Sequence, residues 1–456
     1  MQPRQQVSGE LLSEAEARQL GERILGFVTA DGATVRVVAS DHGHTRFANG
    51  RVTTAGGAID VGVDITVRSG PRAASVRVNG LEAEAARVAV RRAEATVAVM
   101  PNDPEAMPLL GPQSYLSPAA FAPDTAELNA PARADAAHDV MAEAGRVGMR
   151  AAGVLERVVR AEAIINSAGL FAYHRSTQAA LTATVRTADG AGSGWAGTTH
   201  NRWDRMRAPS EVGRIAADTA ARSHGATDIE PGRHTVVLAP TAVGSLLRLV
   251  HDALDARAAA EGRSPFSAHD GATRLGERIA PAELAMVSDP ADPDLLETPF
   301  SDEGQPIGHT AWIADGTLNA LAADRFWASA QGVAPVPIGG GLRVTGGEGE
   351  SMDLVAGVER GIFVTRFWYI REVDPRTLQY TGLTRDGTFL IEHGRLVGPV
   401  TNLRFNQSLV DMLSAVRAIG ADERVVASES GGVGPATVVP ALVVEGFNFT
   451  GRSEAV

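Results

Sequence analysis

Between Thr235 and Phe266 the chain passes from a short apolar strand, Thr235–Ala239, through Pro240 into a helix, and no other stretch restricts the fold as much. An apolar run closed by proline reads as a buried strand, because proline lacks the amide that would extend a ladder. Behind it Leu246, Leu247, Leu249, Val250, Ala253 and Leu254 recur at helical spacing, so one helix face is apolar and must lie on a core. Arg248, His251, Asp252 and Asp255 are expected mostly on the other side. Arg248 and Asp252 are four apart, as are His251 and Asp255, which predicts two pairs on adjacent turns.

The 456 residues exceed one ordinary core, so two or three domains are expected. With 44% hydrophobic and 21% charged residues the composition is that of a soluble globular protein. No apolar run reaches the ~18 residues of a membrane span, and residues 1–20 lack the apolar core of a signal peptide, so a cytoplasmic location is expected. Cysteine and lysine are both absent, which removes thiolate ligands, thiol nucleophiles, Schiff-base chemistry and a phosphate-loop lysine. A net charge of −12 without a basic run argues against a nucleic-acid surface.

Ser13-x-x-Glu16 is a capping box ahead of an amphipathic helix. Strands follow at Ala33–Ser40 and Thr45–Val52, the latter bending at Asn49-Gly50, then the alternating run Ile59–Val67, then Arg72–Val78. Asn79-x-x-Glu82 opens a second helix to about Val97. The first module, 1–100, therefore reads α-β-β-β-β-α. Seven prolines mark 101–131 as a linker. A central module, 132–229, repeats the layout: a helix over Ala132–Arg157, strands near Val158–Asn166, Gln178–Thr187 and Ser193–Asn201, and a helix over Glu211–His224. The rest, 233–456, reads as strands with hairpin signals at Asp315-Gly316, Asp386-Gly387 and His393-Gly394, and helices near Ala322–Gln331, Ser351–Glu359 and Gln407–Ala418. The expected fold is α+β: two duplicated helix and antiparallel-strand modules, then a large, mainly antiparallel β domain with covering helices.

These segments, in this order, resemble the TldD/PmbA family, often labelled modulators of DNA gyrase. The resemblance rests on TRFANGRV with the alternating strand behind it, INSAG (Ile165–Gly169), EPGRHTVVLAPTAVGSLL, SPFS (Ser264–Ser267), GERI (Gly276–Ile279), PFSDEGQP (Pro299–Pro306), FLIEHGRLVGPV (Phe389–Val400) and VPALVVEGFNFTG (Val439–Gly451). It implies paired subunits of a cytosolic zinc peptidase that encloses a chamber for unfolded peptides. In the catalytic type the helix would carry His-Glu-x-x-x-His, with a cysteine ligand later. Here those positions are Arg248, Leu249 and Ala253, and the chain has no cysteine. A guanidinium, an alkyl chain and a methyl group neither ligate zinc nor activate water. The resemblance is thus to the TldE/PmbA type without the metal motif. It implies no cofactor in this chain, zinc in a TldD-like catalytic partner, a heterodimer (or a homodimer of this chain), and a peptide substrate.

Each remaining candidate has a plainer reading beside it. His251 with Asp255 suggests a residual metal or base–carboxylate pair, against a local hydrogen bond on a polar face. Asp302 and Glu303 suggest a peptide contact, against the preferred reading of a carboxylate turn that fixes a hairpin. Asp41-His42-Gly43-His44 reads as a solvated loop, Asp292 and Asp294 as turn residues, and Gly339–Glu350 as a mobile loop at a chamber or interface. Two other functions compete with the subunit reading: a stand-alone interaction or modulator protein, and a self-sufficient hydrolase of unfamiliar chemistry.

Overall fold

The computed structural model describes residues 11–80 and 82–453. The first ten residues, part of the stretch read as lacking a signal peptide, lie outside the described residues. The N-terminal half runs α1 (Glu14–Leu25), β1 (Gly32–Ala48), β2 (Arg51–Ser69), β3 (Arg72–Asn79), α2 (Ala83–Val97), α3 (Pro123–Ala126), α4 (Ala130–Arg146), β4 (Arg150–Asn166), β5 (Phe171–Arg186), β6 (Ser193–His200) and α5 (Pro209–Arg222). Both modules contribute to one six-stranded antiparallel sheet in the order β3-β2-β1-β4-β5-β6, so the first strand of each module lies at its centre. Side chains alternate across a strand. Odd-numbered Val35, Val37, Phe47, Leu155, Val159 and Ile165 accordingly meet the four long helices on one face. Even-numbered Ile164 and Ala172 meet Phe300 of the C-terminal half on the other.

Several local expectations are corrected. The first module has three long strands rather than four, and β1 runs unbroken through Asp41-His42-Gly43-His44, which is therefore no loop. Long-range pairing on both sides of β1 outweighs the turn preference of Asp and Gly, and at Gly43 the Arg133 guanidinium occupies the space where a Cβ would stand. The helix expected to Arg157 ends at Arg146, and Arg150–Arg157 pair with β5 instead, so tertiary pairing overrides helical propensity there. Asn79 does not cap α2; Glu82 holds the N-cap position, without a side-chain hydrogen bond. The proline-rich stretch is strapped to its surroundings. The Tyr115 hydroxyl donates to the Gly304 carbonyl at 2.8 Å, Asn166 Nδ2 to the Leu110 carbonyl at 2.8 Å, and Arg257 grips Glu105 at 2.8 and 2.9 Å.

The C-terminal half continues with β7 (Gly232–Leu238), α6 (Pro240–Asp252), α7 (Ala256–Ala260), β8 (Ala285–Ser288), β9 (Thr310–Ala314), β10 (Thr317–Leu318), α8 (Arg325–Gln331), β11 (Leu342–Thr345), α9 (Ser351–Ala356), β12 (Arg360–Asp374), β13 (Gln379–Glu392), β14 (Arg395–Pro399), β15 (Leu403–Ser408), α10 (Leu409–Ser414), β16 (Val416–Arg424) and β17 (Thr437–Arg452). These form an 11-stranded sheet. It is antiparallel except where β7 joins β12 and β11 joins β17, so the α+β expectation holds with two parallel pairings added. Because β17 also pairs with β7, the path β7-β12-β13-β15-β17 closes on itself. Phe367, Phe405, Phe447 and Phe449 are packed together in the main core, with Phe367 and Phe405 edge to face at 4.8 Å. Asp315-Gly316 and His393-Gly394 turn hairpins as expected, whereas Asp386-Gly387 lies within β13. Both residues have positive φ, 54° and 133°, and they bend the strand at an irregularity in its register with β12.

Candidate functional site

Strand β7 delivers the chain to α6, with Ala239 at the N-cap and Pro240 in the first turn, where its missing amide costs no hydrogen bond. Leu246, Leu247 and Val250 are fully buried. The helix stops at Asp252, which makes Ala253 its C-cap, and Asp255 caps the next helix by accepting the Ala258 amide at 2.7 Å. His251 and Asp255 are therefore not one turn apart on a shared helix, and the expected pair does not form. His251 also lies on the buried face, with only 1% of its surface exposed.

Ser288 accounts for that burial. Its hydroxyl donates to the Gly341 carbonyl at 2.7 Å, so its lone pairs receive Trp312 Nε1 at 2.8 Å and His251 Nε2 at 3.1 Å. A hydroxyl has one proton and two lone pairs, and all are used. His251 is thereby the Nε2-protonated tautomer, and burial pushes its pKa below the usual value. Its Nδ1 has no hydrogen-bond partner, since Asp252 stands 3.8 Å away, beyond hydrogen-bond reach.

At the three motif positions, Arg248 donates from Nη1 to the Gly340 carbonyl at 2.6 Å and lies 3.5 Å from Asp252, while Leu249 and Ala253 pack on the main core. Burial lowers the Arg248 pKa, with Asp252 and Glu297 opposing. Gly339–Gly341, expected to be mobile, is wedged against Ser288, Leu295 and Glu297; a Cβ on Gly341 would sit 2.9 Å from Glu297 Cγ. Glycine serves close approach there.

The Gly340 segment separates two clefts. One, of about 250 Å³, holds Arg248 and Asp252 beside Thr199 and the stretch from Val425 to Thr437. The other, of about 540 Å³, brings Asp255, Asp302 and Glu303 together with Gly340. The carboxylates of Asp302 and Glu303 do not fix their turn. Ser301 does, its hydroxyl accepting the Glu303 and Gln305 amides at 3.3 and 3.1 Å. Asp302 instead meets Arg36 of β1 at 3.0 Å, and Glu303 meets Arg325 at 3.3 Å.

Sequence reasoning missed a half-buried polar cluster behind Arg248. Glu297 accepts the Ala436 amide at 2.8 Å, and burial raises its pKa. Arg424, pushed down to about 10 by burial, donates to Asn201 Oδ1 at 3.0 Å. Asp292 and Asp294, read as turn residues, do form a turn, but they also clamp Arg343 at 2.6–2.9 Å. His200 is pushed down to about 4, chiefly by burial, and its Nδ1 accepts the Arg202 amide at 3.0 Å. The members come from three stretches of the chain, 200–202, 292–343 and 424–436. Only the Asp-x-Asp spacing hinted at them.

This donor set does not fit zinc. Among the described residues no group of three or more histidine, aspartate or glutamate side chains is arranged to hold a metal ion. A guanidinium fills the leading motif position, and zinc needs three or four nitrogen, sulfur or oxygen ligands. Among the described residues, too, no helix is long and apolar enough to cross a membrane.

Comparison with known proteins places the chain in a family. Residues 121–223 match the PmbA/TldA metallopeptidase central domain and residues 231–451 the PmbA/TldA metallopeptidase C-terminal domain. A search of curated protein sequences returns no significant match. Among solved structures, TldE from Thermococcus kodakarensis superposes with a TM-score of 0.83 at 15% identity, covering 95% of this chain and 99% of that one. Two proteins described as modulators of DNA gyrase are similarly close. The one from Thermotoga maritima has a TM-score of 0.82 at 19% identity, covering 95% and 100% of the two chains. The one from Bacteroides thetaiotaomicron has 0.81 at 21%, covering 95% and 98%. The chain is a member of the TldD/PmbA family.

Proposed function

We propose that this chain is a non-catalytic, TldE/PmbA-like subunit that completes a cytoplasmic TldD-type zinc metallopeptidase and helps to hold extended peptides. The observation that carries this reading is Arg248. Its guanidinium stands at the first metal-ligand position and is tied to the Gly340 carbonyl, while the helix ends before Ala253 could present a ligand from a further turn. A peptidase needs a polarised water at one point and a substrate held against it. This chain lacks the side chains for the first task and supplies walls and strand edges for the second.

The test is hydrolysis of an unstructured peptide by this chain alone, by a zinc-bearing sibling alone, and by the mixture. Cleavage by the mixture, with none by this chain and little by the sibling, is the expected result. Chelator-sensitive cleavage by this chain alone refutes the reading. A sibling as active alone as in the mixture makes this chain a modulator instead. The triple substitution Arg248→His, Leu249→Glu and Ala253→His should not restore cleavage, because a cysteine ligand and the groups that would orient the histidines are both lacking.

A further inference from the structure

Strand β2 is paired along only part of its outer edge. On one side β1 accompanies it from Arg51 to Arg68, but on the other β3 covers only Gly62–Ser69. Among the described residues no further strand pairs with Arg51–Val61; one bond touches its end, the Gly80 amide donating to the Val61 carbonyl at 2.8 Å. That bond fixes the orientation of the strand. Val61 turns its carbonyl away from β1, so by alternation Ile59, Gly57 and Ala55 also turn their amide and carbonyl groups outward. From Arg51 to Asp60 every residue except Gly56 is exposed, Ile59 by 63%.

Open edges of this length are ordinarily blunted by charge or proline. Neither occurs between Val52 and Ile59. Ala55, Gly56, Gly57 and Ala58 carry almost no side chain, so an incoming strand of any sequence meets little obstruction on either face. The charges stand at the two ends. Arg51 and Asp60 are exposed, and neither side chain has an ion-pair or hydrogen-bond partner among the described residues. Along the strand they lie about 30 Å apart. A peptide laid antiparallel to β2 brings its ammonium to Asp60 and its carboxylate to Arg51. A parallel one would meet a like charge at each end, so charge selects the direction.

We propose that the free edge of β2 takes up an extended peptide of about ten residues, antiparallel, uncharged between its termini, with those termini at Asp60 and Arg51. The inference rests on the peptide-holding part of the proposed function and gives it a place and a substrate class. Backbone groups supply the affinity and the end charges supply the direction.

The experiment uses the full chain without any sibling. Fluorescence anisotropy is recorded for a threonine- and alanine-rich decapeptide labelled on a central side chain, with free termini, N-acetylated, C-amidated, or N-methylated at four consecutive central residues. N-methylation should weaken binding about tenfold or more, and Ile59→Pro, which removes an outward amide at an edge, should do the same. Each blocked terminus should cost about threefold. Asp60→Asn should erase only the cost of acetylation, and Arg51→Gln only that of amidation. Melting temperatures check folding; if Ile59→Pro is unstable, the two exposed charge variants decide. Binding indifferent to N-methylation, or terminal effects that ignore both charge variants or appear crossed between them, overturns the proposal. So does light scattering that shows a dimer which Ile59→Pro makes monomeric, since the edge then belongs to a second copy. Binding here beside a sibling mixture with no activity gain sinks the subunit reading alone, whereas an activity gain without binding here sinks this proposal alone.

Discussion

The α6 site and a cleft of about 560 Å³ lined by Arg150, Arg186, Arg366 and Arg385 are each built on a buried arginine, and they differ in how far they are enclosed. Around α6 almost every polar group has a protein partner: Arg248 has Gly340 and Asp252, and Ser288 serves Gly341, Trp312 and His251. In the cleft, the buried carboxylate of Asp386 is shared by Arg366 and Arg385, and Arg150 and Arg186 stand on the facing wall. A closed network rigidifies a fold, whereas groups that line an open cleft still meet solvent. At positions 248, 249 and 253 the structure shows a tethered guanidinium and two side chains packed on the main core.

The largest effect expected from breaking this contrast is at Asp386. Asn tolerates its left-handed backbone, so Asp386→Asn removes charge alone and leaves buried Arg366 without its nearest counter-ion, with only Glu429 further off. A loss of about 3–5 kcal/mol is expected, read as a drop in melting temperature. A loss below about 1 kcal/mol would mean that Arg366 is solvated and the cleft is ordinary surface. Next comes Ser288→Ala, which strands three buried partners at once; about 3 kcal/mol is expected by urea denaturation.

Acid should separate the regions further. His251 and His200 belong to the closed side, and no histidine lines the arginine cleft. Burial depresses both pKa values below the unfolded value, that of His200 to about 4. The unfolded chain therefore binds more protons, and stability must decline as pH falls from about 6.5 towards 4, by up to about 3 kcal/mol for His200. His200→Gln should make that decline shallower in melts across this range, the part due to His174, likewise pushed down to about 4 by burial, remaining. An unchanged slope would show that His200 titrates normally. The smallest effect is at Arg248→Leu, within about 1 kcal/mol, because an apolar replacement of a desolvated ion costs little. A large loss there would show that Arg248 does more than fill space.

Local chemistry made much of this legible in advance. The capping box at Ser13, the Asn49-Gly50 turn, the alternation through Val67 and the strand–proline–helix passage at Pro240 each depend on neighbours a few residues away. The identities of Arg248, Leu249 and Ala253 were equally visible. Contacts between distant segments were not. His251 reads as polar and outward until Ser288 and Trp312, 37 and 61 positions further on, enclose it. Arg150–Arg157 reads as helix until β5 pairs with it, and Asp386-Gly387 reads as a hairpin until β12 pairs across the bend.

The sequence by itself determined which chemistry is absent, because a residue type that is missing, such as cysteine or a histidine at position 248, is missing in any fold. It also determined the order of elements, because caps, turns and apolar periods act within one or two turns of chain. Only the tertiary structure decided what each charge meets. Arg150 and Arg385 are 235 positions apart, and whether a guanidinium is neutralised, stacked or left facing solvent depends on what long-range sheet pairing brings beside it.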